Sequence, residues 1–171
     1  MQLGQAKARL FALMDETEPD SALRGRLDHF FDIGQREICL YYPIYRRADY
    51  AAEDPRTLPQ DCFAPVQLIA PDGTARAADP SRGLPQGAFT LLYQARPDPI
   101  PDGAPDDTPL SLPDEAADAL IYFVAAQCMA TEQDQRFFQN FFAEYQGRLA
   151  GLSGMTAGPA AVVEVHPYAD L

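Results

Sequence analysis

The sequence predicts a mainly α-helical fold, a four-helix bundle with a small β-rich insertion between the second and third helices and a C-terminal extension. Apolar residues recur at helical spacing in four segments, near residues 2–15, 21–42, 113–130 and 132–152. Around residues 43–110 this periodicity stops, and most of the 16 prolines lie there. A chain of 171 residues favours one domain with an inserted subdomain.

The first two predicted helices each carry one apolar face. The first face consists of Leu3, Ala6, Leu10, Leu13 and Met14. The second helix can be capped by Asp20 or Ser21 and ends before Pro43, and its face consists of Leu23, Leu27, Phe30, Phe31, Gly34, Ile38 and Tyr41. A glycine inside a helix costs up to about 1 kcal/mol relative to alanine. We therefore expect another helix to approach closely at Gly34.

The middle of the chain shows strand patterns instead of helical ones. Residues 64–70 and 89–95 each have the composition of a strand. Residues 71–74, with the sequence Pro-Asp-Gly-Thr, are typical of a hairpin turn because glycine tolerates positive φ. The acidic, proline-rich residues 97–109 cannot form a helix. The predicted β-rich insertion therefore ends in an irregular connection.

The last two predicted helices supply most of the expected core. The helix after Ser111 and Pro113 is apolar nearly all round, which places it at the centre of a bundle or between neighbouring subunits. The next helix, after a second capping pattern at Thr131, carries a stripe of aromatic residues. The predicted core consists of Leu27, Phe30, Phe31, Ile38, Leu120, Val124, Phe138, Phe141 and Tyr145.

A change of composition after Gly151 predicts a helical domain over residues 1–152 and a flexible tail over residues 153–171. The tail contains a valine-rich segment, Pro159–Pro167, that favours a strand, and an apolar terminal strand often pairs with another chain. The residues predicted to dock a partner are Val162, Val163, Val165, Tyr168, Arg46 and Arg47.

Charge disfavours one large class of functions, although a local basic patch stays open, with the densest basic stretch at Arg24, Arg26, Arg36, Arg46 and Arg47. The net charge is −12, and a broad nucleic-acid-binding surface needs Lys and Arg to neutralise phosphates. The longest strongly apolar stretch, residues 116–130, is shorter than the roughly 20 residues that span a bilayer, so no membrane contact is predicted.

The candidates for catalysis or metal binding are the two histidines, the three cysteines and the paired acids. No metal-ligand spacing, phosphate-binding loop or nucleophile motif is present, so the sequence predicts no catalytic centre and no cofactor. A Cys–His pair such as Cys39 or Cys128 with His29 stays open, because such partners meet only in the fold. A buried, inert cysteine on an apolar helix is the commoner case. The aromatic stripe could also form a ligand cleft, although core packing is commoner.

Six segments occur in order over residues 3–152: LGQAKARLFALMDE, LRGRLDHFFDIGQREI, TLPQDCFAPVQLI, FTLLYQARPDPI, LSLPDEAADALIYFVAAQCM and FFQNFFAEYQGRLAGL. Together they resemble the small head–tail connector (adaptor, or head-completion) proteins of tailed phages and prophages. None of the segments is a catalytic signature. The residues after 152 depart from the part that resembles the family.

The resemblance implies a helical subunit of a ring, typically of twelve copies, beneath the portal of a filled capsid. The implied partners are the portal protein, a neck or tail completion protein and further copies of the chain, in the neck of a virion assembled in the host bacterial cytoplasm. Double-stranded DNA would pass through the ring without specific binding. The competing class is a small helical ligand-binding or regulatory domain, which oligomeric state would distinguish from a connector.

Acidic residues are concentrated in one part of the chain. No Lys or Arg lies between Pro97 and Gln135, whereas residues 20–50 contain five arginines. In a ring, basic residues would hold DNA phosphates and oppose passage. The residues expected to line the channel are Asp102, Asp106, Asp107 and Asp114. The alternative is that these acids only keep the free subunit soluble.

Overall fold

The computed structural model describes residues 1–15 and 21–153. Their elements are α1 (Leu3–Met14), α2 (Ser21–Tyr41), β1 (Ile44–Tyr50), β2 (Cys62–Ile69), β3 (Ala75–Ala77), β4 (Phe89–Ala95), α3 (Asp114–Thr131) and α4 (Gln135–Ser153). The four helices lie close to their predicted positions. The last begins later than predicted because Asp134 is its N-cap, whose carboxylate accepts the backbone N–H groups of Arg136 and Phe137.

The predicted fold class was wrong. The four strands form one sheet in the order β1-β4-β2-β3, so the fold is mixed α/β and not a four-helix bundle with a small insertion. Residues 45–94 form one compact unit, called the sheet unit. A second unit, called the helical unit, combines residues 1–44 with the described chain from residue 95 onward. The prediction failed because it lacked β1 and β3. Strand β1 pairs with a strand some 40 residues later, and no local pattern reveals such a partner.

Strands β2 and β3 form the predicted hairpin. They are antiparallel, with Leu68 opposite Arg76. In the turn, Gly73 has φ of +85° and donates its N–H to the carbonyl of Ala70. A residue with a Cβ would be strained at this φ, which explains the glycine. The sequence therefore predicted this turn for the correct physical reason.

The sheet unit has a small core of its own. Phe89, Leu91 and Tyr93 on β4 are buried at alternate positions. The ring of Tyr50 stacks on Phe89 at 4.7 Å between centroids. The guanidinium of Arg56 lies 5.4 Å from the Phe89 centroid and donates hydrogen bonds to three backbone carbonyls. These contacts fix the loop that follows β1 against the start of β4.

Helix α3 is the central element of the helical unit. It contacts α1, α2 and α4, and eleven of its residues are buried. This arrangement accounts for its nearly uniform apolar sequence. Of the nine predicted core residues, Leu27, Phe31, Ile38, Leu120, Val124 and Tyr145 are buried.

The other three predicted core residues, Phe30, Phe138 and Phe141, are only partly buried. On α4, the rings stack along the helix, Phe138 on Phe142 and Phe137 on Phe141. The aromatic spacing on α4 correctly indicated one stripe, but it did not distinguish insertion into the core from stacking at its margin.

Gly34 of α2 marks the close approach of α3, as the sequence predicted. A Cβ added at Gly34 would lie 2.5 Å from Leu120 Cδ1 and 2.6 Å from Phe123 Cδ1. Both side chains are buried and have little room to move.

We expect Gly34→Ala to lower the free energy of unfolding by about 1–3 kcal/mol, because overpacking outweighs the gain in helix propensity. Gly25 is the matched control, since it lies on the same helix and a Cβ added there would have nothing within 4 Å. Gly25→Ala should raise the free energy by about 0.5–1 kcal/mol. Urea unfolding followed by circular dichroism measures both. Equal effects at the two positions would contradict the close-packing argument.

Candidate functional site

Buried polar side chains of α2 hold the acidic, proline-rich segment of residues 97–109. Asp32 Oδ1 accepts the backbone N–H of Ile100 at 2.9 Å, and Asp28 Oδ2 accepts that of Gly103 at 2.9 Å. Both carboxylates are buried. Buried backbone donors need such partners in a segment that has no regular structure. The segment is therefore anchored to the helical unit although it forms neither helix nor strand.

The only lysine of the chain completes this anchor. Lys7 Nζ on α1 lies 2.7 Å from Asp28 Oδ1 and 3.6 Å from Asp106 Oδ1. It thus neutralises a buried carboxylate and also contacts one exposed acid of the segment. A third buried polar residue of α2, Gln35, donates its side-chain N–H to the carbonyl of Asp98.

The start of α1 contacts the far end of the acidic segment. The N–H groups of Leu3 and Gly4 donate to the carbonyls of Thr108 and Asp106, both at 2.8 Å. These two donors would otherwise lack partners at the helix N-terminus. A Cβ at Gly4 would lie 2.7 Å from the Asp106 Cβ, so only glycine allows this approach.

The four predicted channel-lining residues are all exposed. Asp102, Asp106 and Asp107 lie on the anchored segment, and Asp114 lies at the start of α3. The N-terminal ammonium group of Met1 donates a 2.8 Å hydrogen bond to Asp114 and lowers its pKa. Backbone anchoring and outward carboxylates together give a negatively charged surface of fixed geometry.

The two predicted docking arginines have different environments. Arg46 Nη1 donates to Asp61 Oδ2 at 2.8 Å, and Asp61 also accepts from the Tyr93 hydroxyl, so Arg46 belongs to a half-buried network of the sheet unit. Arg47 lies on the opposite face of β1, because successive side chains of a strand point to opposite faces, and on that face it is exposed. The other predicted docking residues, Val162, Val163, Val165 and Tyr168, lie outside the described residues, as does the rest of the predicted tail from residue 154.

Two of the three cysteines, Cys39 and Cys128, have environments that suppress reactivity. Burial raises the pKa of the Cys39 and Cys128 thiols to about 12, so both stay protonated at neutral pH. His29 is exposed on α2. In residues 1–15 and 21–153, no three His, Cys, Asp or Glu residues are grouped so that they could hold a metal ion. Across those same residues, no helix combines the length and apolarity needed to cross a membrane.

Sequence reasoning missed the anchoring residues Asp28, Asp32 and Gln35. They recur at helical spacing on α2 and thus share one face, which was available as a signal. Polar residues beside an apolar stripe usually face solvent, so the pattern alone did not indicate burial.

The described residues thus combine a helical unit, a four-stranded sheet and an acidic segment that buried side chains of α2 hold in place. A family model described as "SU10 adaptor protein" matches residues 79–164, which is slightly more than half of the chain and includes the anchored acidic segment. The chain belongs to this family, which is a phage head–tail adaptor family, and the predicted resemblance is confirmed. It therefore has a structural adaptor role and interacts with other phage head or tail proteins. No curated protein matches the chain.

Proposed function

We propose that this adaptor is a ring subunit that assembles beneath the portal of the capsid, extends the DNA channel and joins the tail. The family match carries the proposal, because it covers β4, the acidic segment, α3 and α4. The proposed partners are the portal protein, a neck or tail completion protein and copies of the chain, in a ring of twelve in the virion neck. The subunit acts by binding and positioning and carries out no catalysis.

The anchored acidic segment supports a channel through which DNA moves without sticking. Asp102, Asp106, Asp107 and Asp114 are exposed, and a ring repeats their charges around its lumen. Duplex DNA carries one negative charge about every 1.7 Å along its axis, so an acidic wall repels it and a basic wall would hold it. Anchoring by α1 and α2 keeps these charges in place while DNA passes.

A small-molecule site is the weaker candidate. An open groove of about 420 Å³ lies beside the turn between α3 and α4 and is lined by Met129, Ala130, Gln133, Gln135 and Phe138. Ligand sites usually combine an apolar lining with a few convergent polar or charged groups. The polar side chains of this lining are Gln133 and Gln135, which could hold an uncharged ligand. The family match, and not this lining, makes the adaptor role the stronger candidate.

Charge reversal at Asp102 and Asp107 tests the lumen assignment. We expect Asp102→Lys combined with Asp107→Lys to make the isolated ring retain duplex DNA at low salt, with binding that weakens steeply as salt is added. Asp106 and Asp114 are left unchanged because they pair with Lys7 and the Met1 ammonium group. Electrophoretic mobility shifts at several salt concentrations provide the measurement.

The matched control changes the net charge equally at two other exposed acids, Glu53 and Glu132. Glu53→Lys with Glu132→Lys should leave DNA retention close to that of the unchanged ring. Equal retention by both pairs would refute the lumen assignment but not the ring. Electron microscopy of the protein with a portal tests the ring itself, and persistent monomers on a saturated portal would contradict it.

A further inference from the structure

The sheet unit has one long edge. In the order β1-β4-β2-β3, the strands at the two edges are β1, with seven residues, and β3, with three. Within the described part of the chain, β4 is the only strand that pairs with β1. A long edge presents a row of backbone N–H and C=O groups to which another strand can bind, and proteins usually shorten or interrupt such edges. β1 contains no proline and is not shortened in this way.

The exposed side chains of β1 are Tyr45, Arg47 and Asp49, and the positive charge of Arg47 lies at the middle of the strand. Arg46 is held by Asp61, and Asp49 accepts a 2.6 Å hydrogen bond from the Thr90 hydroxyl of β4. Arg47 lies between them in sequence and is exposed, as is Tyr45. A strand added at this edge would therefore meet a positive charge with an aromatic ring on one side and the Asp49 carboxylate on the other.

The chain contains a segment with matching chemistry beyond its last described residue. Residues 160–166 read AAVVEVH, with three β-branched valines and a single acid, Glu164. The segment is as long as β1, and its one acid complements Arg47. Cross-strand pairs of opposite charge help to set register, while main-chain hydrogen bonds supply affinity.

We propose that, in the assembled protein, the open edge of β1 binds residues 160–166 of a neighbouring copy as an additional strand, with Glu164 beside Arg47. This inference rests on the proposed ring and identifies one of its contacts. One surface of each copy binds a different surface of the next, and repeated contacts of that kind close into rings. The C-terminal segment of each subunit thus links it to the sheet unit of its neighbour.

Complementary charge reversals test the pairing and its direction. Arg47→Glu and Glu164→Arg should each weaken self-association roughly tenfold at low salt, because each puts like charges together at every contact. Mixing the two variants in equal amounts should restore assembly, since alternating copies then present opposite charges at each contact. Arg82→Glu is the control. Arg82 is 84% exposed in the same unit and lies far from β1 in sequence, so its reversal should leave the self-association constant unchanged. Sedimentation velocity gives the association constants.

If only the doubly substituted chain recovers and the mixture does not, each C-terminal segment pairs with its own β1 and the proposal is overturned. Unchanged association in both single variants also overturns it. Hydrogen exchange of the full chain supplies a second measurement: protection of residues 44–50 should rise with protein concentration and be lost in Val163→Pro, which removes a donor from the added strand. Protection that is independent of concentration contradicts the proposal. Rings seen with a portal while β1 stays unprotected would leave the ring intact and remove only this contact.

Discussion

Replacing Phe31 with alanine is expected to lower the free energy of unfolding by about 3–5 kcal/mol. Phe31 is fully buried in α2 and belongs to the core that α3 organises. The loss combines the transfer free energy of the ring with the cost of a cavity that close-packed neighbours cannot fill. Urea unfolding followed by helical circular dichroism measures it.

Two phenylalanines of α4 provide less buried positions with which the stability loss at Phe31 can be compared. Phe137 is half exposed and stacks on Phe141, so Phe137→Ala should cost under about 1 kcal/mol. Phe141 is partly buried, and Phe141→Ala should give an intermediate loss. If Phe141→Ala matched Phe31→Ala, the aromatic stripe of α4 would be core, contrary to its partial exposure.

Replacing Lys7 with methionine is expected to cost about 2–3 kcal/mol, because it leaves the buried Asp28 carboxylate without its cation. Methionine keeps most of the apolar stem, so the loss is mainly electrostatic. The side chains of Lys7 and Asp28 are 19% and 9% exposed, and this remaining contact with water places the expected cost below that of a fully buried pair. Chemical unfolding and hydrogen exchange at Gly103, whose N–H donates to Asp28, check the result.

Arg9 provides the matched control on the same helix. Its ion pair with Asp118 has a similar length, 2.9 Å, but both side chains are more than half exposed. Arg9→Met should therefore cost no more than about 1 kcal/mol. Adding Asp28→Asn to the Lys7→Met variant should recover part of the loss, since the uncompensated charge is removed. Equal losses for Lys7→Met and Arg9→Met would show that the buried Lys7–Asp28 pair contributes no more to the free energy of unfolding than an exposed ion pair.

Local sequence patterns were sufficient to predict the positions of the helices, the turn of one hairpin and the family resemblance. A helix records its buried face every three to four residues, so α1 to α4 could be located from apolar spacing alone. The turn at Gly73 and the close approach at Gly34 were also predictable, because each depends on a property that only glycine has. The adaptor resemblance depended on the order of such segments and needed no knowledge of their packing.

Features that depend on which surfaces meet could not be predicted in this way. The pairing of β1 with β4 joins distant segments, so the size of the sheet, and with it the fold class, was decided by the tertiary structure. The spacing of Asp28 and Asp32 is equally compatible with side chains exposed to solvent. Only the position of the acidic segment makes these two residues buried hydrogen-bond acceptors. A periodic pattern identifies the faces of an element, whereas burial and hydrogen bonding depend on what lies against each face. Apolar spacing and segment order were thus enough to locate the helices and to indicate the family, whereas the contacts between elements decide how the acidic surface is held.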